Sequence, residues 1–110
     1  MKLIHHKTLK PEKWFSLRLC EQMANIGSEV ERTIRWRNKG NMRYATLAFE
    51  RALELADLTK EDPKNKERLK EICRMREVIA DWFFDNEYKS TDQSLQKYFY
   101  AFSYYARLGK

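Results

Sequence analysis

An arginine stands where helix geometry calls for a buried hydrophobe. Leu69, Ile72, Arg76, Ile79 and Phe83 recur at steps of three and four, the spacing of one helical face. Ile72, Cys73, Ile79 and Ala80, about one turn to either side of Arg76, are apolar. A guanidinium cannot lose its proton to escape burial, so an inward Arg76 demands a carboxylate or a set of acceptors. That implies a helical bundle crossed by an internal polar bolt, or a groove that admits an anionic partner.

The rest of the chain carries the same helical punctuation. Pro11 suits a first helical position, where the missing N–H has no intrahelical partner. From there Phe15, Leu19, Met23, Ile26, Val30 and Ile34 form a stripe that predicts a helix of about 40 Å, closed by Gly40-Asn41. Asn41 can cap a second helix carrying Ala45, Ala48, Phe49, Ala52, Leu55 and Ala56. Asp62-Pro63 opens a third, and Ser90-Thr91-Asp92-Gln93 matches a capping box with Ser90 as cap. Helices are therefore expected over about 11–39, 41–60, 63–84 and 91–108, following a flexible basic leader over 1–10. Short connections favour antiparallel neighbours, so the expected fold is all-α, an antiparallel up-down four-helix bundle in one domain.

A content of 43% hydrophobic and 14% aromatic residues, with three glycines and two prolines, excludes a disordered chain. The longest uncharged aromatic stretch, 98–106, is too short to span a bilayer, so no membrane partner is expected. Met1 to Lys7 lacks the apolar segment of a signal peptide. With two cysteines expected to behave as small buried hydrophobes, a cytoplasmic location follows, a Cys20–Cys73 disulfide being the minor alternative.

The formal net charge is +6, and its distribution is uneven. Residues 32–43 hold five cations and no carboxylate, while Lys64, Lys66, Arg68 and Lys70 crowd a second stretch. In an up-down bundle the first cluster would lie near Glu77, Asp81, Asp85, Glu87 and Asp92, which offer internal neutralisation. Two readings stand side by side. One is a solvated surface with cations favoured at helix C-termini. The other is phosphate-backbone binding by Arg32, Arg35, Arg37, Lys39, Arg43, Lys64, Lys66, Arg68 and Lys70, with Trp36 as a stacking surface for an unpaired base. Trp36 equally suits a core edge or a subunit contact.

Catalytic constellations are missing from the sequence. His5 and His6 are the only histidines and are adjacent. There is no Glu-x-x-His pair for a carboxylate-bridged metal, no Cys-x-x-Cys, no glycine-rich phosphate loop and no Ser-His-Asp arrangement. No enzyme activity, cofactor or metal is expected. Asn25 and Glu29, one turn apart beside Ile26 and Val30, are read as a polar core with Arg76, Glu29 being the proposed counter-charge. A ligand cleft is the alternative for that pair.

Three segments resemble small uncharacterised bacterial proteins: Asn25-Ile26-Gly27-Ser28-Glu29-Val30, Phe49-Glu50-Arg51-Ala52-Leu53-Glu54-Leu55, and Asn86-Glu87-Tyr88 with Leu95-Gln96-Lys97-Tyr98-Phe99. In size, helix count and basic charge the chain is also similar to the accessory protein of diversity-generating retroelements. The same similarity extends to the four-helix bundles encoded in ribosomal RNA intervening sequences. It implies a ring-forming bundle that binds nucleic acid beside a reverse transcriptase, and it transfers no functional residue. The leading expectation is thus a non-enzymatic homo-oligomer that binds RNA or DNA, accessory to a polymerase-type partner. The alternative is a protein-interaction or scaffold module without nucleic-acid binding, using Tyr98, Tyr100, Tyr104 and Tyr105 of an aromatic last helix. A small-ligand carrier is third, since an aromatic bundle can enclose a cavity.

Overall fold

Trp14 is buried in the core, and the first helix ends just after it. In the computed structural model, which describes residues 9–109, the elements are α1 (Pro11–Phe15), α2 (Leu19–Asn38), α3 (Met42–Glu61), a 3₁₀ stretch (Pro63–Arg68), α4 (Leu69–Phe83) and α5 (Asp92–Leu108). The fold is all-α with no strand among the described residues, but it has five helices and is not a four-helix bundle. The predicted 11–39 helix is two elements. The Ser16 hydroxyl donates to the Lys13 carbonyl at 2.6 Å, and Arg18 is extended. Glu21 accepts the Arg18 backbone N–H at 2.9 Å, restarting the helix. The break lets the Trp14 indole N–H reach the Thr59 hydroxyl at 3.1 Å, while Gln22 of α2 donates to the Trp14 carbonyl at 3.0 Å. Most of the expected basic leader, with His5 and His6, lies outside the described residues.

Other boundaries follow local chemistry. Gly40, at φ 77°, ends α2 in the left-handed conformation that glycine adopts without steric penalty. Asn41 caps α3 by accepting the Tyr44 N–H at 3.0 Å. Asp62 and Pro63 do mark a start, but of the 3₁₀ stretch, which hands over to α4. At α5 the capping box is Thr91 with Ser94, in place of the expected Ser90 with Gln93.

The hub is α2, which packs along α3 on one side and α5 on the other, while α3 meets α1 and α4. Gly27 permits the α2–α5 approach: a Cβ there would stand 2.6 Å from the Phe99 Cβ. On α4 the buried residues are Ile72, Met75, Ile79 and Trp82. The eight-residue connection 84–91 holds α4 and α5 apart. It is fixed by the Asp81 carboxylate, which accepts the Glu87 and Tyr88 N–H groups at 2.8 and 3.0 Å. The Asn86 side chain then clasps Ser90 through both its backbone N–H and carbonyl. The fourth side of a closed bundle is therefore a cleft.

Candidate interaction surface

Two faces of α5 have opposite characters. Leu95, Phe99 and Ala106 are buried against the hub. On the far side Tyr100, Tyr104 and Leu108 follow one another at steps of four, with Tyr105 beside them, all between 48 and 62% exposed. The small Ala101 is exposed between the rings, Lys97 and Arg107 are the nearby charges on α5, and Glu31 of α2 lines a pocket with Tyr100. The Arg107 guanidinium already lies 5.9 Å from the Tyr100 ring centroid. The stripe amounts to an apolar patch on the order of 450 Å², the size of the largest such patch on a typical monomer.

Beside it lies the cleft between α4 and α5, with a cavity of about 300 Å³. Its walls are Met75, Val78 and Ile79 from α4, and Leu95 and Phe99 from α5. Glu71, Arg74, Ser90, Ser94 and Tyr98 complete the lining. Burial drives the Tyr98 phenol up to about 12, the Glu71 carboxylate adding to the rise and Arg68 opposing it. Tyr98 is therefore a neutral hydrogen-bond donor at any physiological pH.

The polar core is real, but it consists of other residues than those expected. Gln22 donates to the Asp62 carboxylate at 2.8 Å and accepts from Asn65 at 2.9 Å. Asn65 also donates to the Thr59 carbonyl at 3.1 Å, and Lys64 caps the cluster through Asp62 and the Phe15 carbonyl. Burial alone would raise the Asp62 pKa. Hydrogen bonds from Lys64 and Gln22, with the Lys64 charge, outweigh it and hold that carboxyl below its ordinary value. Asn25 instead is exposed and donates to the Glu21 carbonyl at 2.8 Å. Glu29 is buried, yet its partners are Arg32 at 3.0 Å and Arg51 at 3.3 Å. Arg76 is only half-buried and bonds Asp57 at 2.6 Å. The bolt joining Glu29 to Arg76 is thus replaced by two separate clusters, because Met75, not Arg76, holds the inward position.

The ten residues nominated for nucleic acid are largely engaged within the fold. Arg32 pairs with Glu29, Lys64 with Asp62 and Arg68 with Glu71. Arg37 lies 4.8 Å from the Trp82 ring centroid and 5.1 Å from that of Phe83, and its buried Nη1 has no hydrogen-bond partner among the described residues. Trp36 is half-buried, edge-on to Tyr44 at 4.8 Å, with Lys39 5.2 Å over its ring. Arg35, Arg43, Lys66 and Lys70 are exposed. No ion pair joins the 32–43 cations to Glu77, Asp81, Asp85, Glu87 or Asp92 among the described residues. Cys73 is exposed rather than buried, Cys20 is partly buried, and both are free thiols.

Sequence reasoning missed Gln22, Thr59 and Asn65, whose only signal was a polar residue beside an apolar stripe, as Gln22 stands beside Met23. It also missed the cleft, since nothing in the helical periodicity states which neighbours stay apart. Among the described residues no cluster of three or more His, Cys, Asp or Glu is placed to hold a metal ion. No described helix is long and apolar enough to cross a membrane. No family model, curated protein or solved structure matches the chain.

Proposed function

We propose that the chain is a non-enzymatic protein-interaction module whose contact surface is the outer face of α5, and that its first partner is a second copy of itself. The observation that carries this reading is the Tyr100–Tyr104–Leu108 stripe, exposed on a helix whose opposite face already closes the core. Tyrosine is enriched at interfaces because each ring supplies a rigid apolar body with a polar tip. Two such stripes facing one another would bury on the order of 1,000 Å², the lower bound for a specific interface. A cytoplasmic setting fits the two free thiols.

The test is a concentration series of backbone amide NMR spectra. Resonances from 97–108 are expected to shift and broaden as protein concentration rises, while those of α1 and the 3₁₀ stretch stay fixed. Uniform or absent changes would overturn the reading. RNA or DNA binding is the second reading, supported by the net charge of +6 and by exposed Arg35, Arg43, Lys66 and Lys70. Anisotropy with labelled RNA and DNA separates the two. Binding that falls steeply with salt and is lost in Arg35→Gln/Arg43→Gln or Lys66→Gln/Lys70→Gln would favour nucleic acid over protein as the partner.

A further inference from the structure

We propose that the cleft between α4 and α5 is a binding site for a small aliphatic carboxylate, its alkyl tail in the cavity and its charged end at Arg74. The cavity of about 300 Å³ lies at the lower end of the range for small-molecule sites. At about 30 Å³ per non-hydrogen atom it has room for roughly ten of them. Its walls are aliphatic and aromatic, and Met75 supplies an unbranched side chain that adapts to a flexible tail.

The rim decides the sign of the ligand's charge. Glu71 and Arg74 are its two charged residues. Glu71 is already occupied, because Arg68 places two hydrogen bonds on its carboxylate. Arg74 is exposed and makes no ion pair with another described residue. The unspent charge at the rim is therefore positive, which favours a carboxylate over an amine. The neutral Tyr98 phenol and the Ser90 hydroxyl also line the cavity, each able to donate to an anion. Ser94 is committed to the α5 cap through Thr91. The Asn86 clasp on Ser90 fixes the backbone of that wall, so the site is built on two helices and a tied loop, and needs no moving lid.

Methyl NMR titration of the full chain with butanoate, hexanoate, octanoate and octylamine tests the assignment. Saturable shifts are expected at the Met75, Val78 and Ile79 methyl groups. Affinity should rise about fourfold for each added CH₂ until the cavity is filled near octanoate. Arg74→Gln, at an exposed position, should weaken octanoate about fivefold and should not weaken octylamine, whose repulsion from Arg74 it relieves. Val78→Phe should block the tail, and if that variant misfolds Arg74→Gln still decides the matter. Tyr104→Lys, on the far side of α5, should bind octanoate as the parent does even if self-association fails.

Equal affinity for octanoate and octylamine, or an Arg74→Gln variant that binds octanoate undiminished, would overturn the carboxylate assignment. No saturable shift with any of the probes would overturn the site. Loss of self-association in a folded Val78→Phe protein, with no octanoate binding in the parent, would show that the cleft takes a protein segment instead.

Discussion

The two flanks of α2 and α3 are finished differently. Where α1 folds back, Trp14, Gln22, Thr59, Asp62 and Asn65 satisfy one another in a buried knot, and Lys64 closes it. Where α4 faces α5, apolar walls stand apart around a cavity and the outer helix shows Tyr100, Tyr104 and Tyr105 to solvent on its far side. Buried polar groups are costly unless every partner is present, so a satisfied knot rigidifies its surroundings and tolerates little change. The open apolar surface on the other flank is the one on which the proposed interaction rests. The contrast is between a flank closed by buried polar partners and one left open with apolar walls.

Breaking the knot should have the largest effect. Gln22→Leu removes three buried hydrogen bonds at once, to Asp62, to the Trp14 carbonyl and from Asn65, and is expected to cost about 3 kcal/mol in urea unfolding. A loss below about 1 kcal/mol would show that the network does not hold the two ends together. The same knot sets an acid dependence. The Asp62 pKa in the folded protein lies below its ordinary value. Its contribution is therefore complete above the unfolded pKa of about 4, and is lost as pH falls through the folded value. Asp62→Asn should flatten that part of the acid limb in stability measured against pH, while lowering stability at neutral pH.

Next comes the seam between hub and open flank. Gly27→Ala puts a methyl group 2.6 Å from the Phe99 Cβ, so α5 must move. The expected cost is about 1–3 kcal/mol, greater than the helix propensity that alanine returns. Amide shifts along α5 should accompany it. An Ala variant more stable than the parent would mean that the two helices are not held at that distance.

The Arg76 pair should matter less. Arg76→Met removes a half-exposed bond to Asp57, for an expected loss of up to about 1 kcal/mol. A double-mutant cycle should find coupling between Arg76 and Asp57 and none between Arg76 and Glu29. Coupling to Glu29 would restore the internal bolt that the sequence suggested.

That contrast also explains what the sequence made legible. Gly40-Asn41 announced itself through residues that act locally, whereas Asp62-Pro63 opens a 3₁₀ stretch in place of the expected helix and the α5 cap falls on Thr91 in place of Ser90. The break at Ser16 did not announce itself, because Phe15, Leu19 and Met23 keep helical spacing straight through it, and only the tertiary bonds of Trp14 and Gln22 require the turn. Arg76 was misplaced by one residue: Ile72, Met75, Ile79 and Trp82 satisfy helical spacing as well as Ile72, Arg76, Ile79 and Phe83 do. Periodicity fixes a face only to within a residue, and an arginine at its edge can turn outward to Asp57. The surplus of tyrosine on the last helix was legible, as a helix needs only one face for the core. The cleft beside it was not, since it depends on how Asp81 and Asn86 tie the 84–91 connection.

Tyr104 is the sharpest point of the comparison, because changing it should leave stability within about 0.5 kcal/mol of the parent. The deciding measurement is sedimentation velocity of the parent and of Tyr104→Lys over a wide range of concentration. The parent should move from monomer to dimer as concentration rises, little affected by salt, while Tyr104→Lys stays monomeric and folded. A parent that remains monomeric throughout, or a Tyr104→Lys protein that associates equally well, would contradict self-association through the outer face of α5.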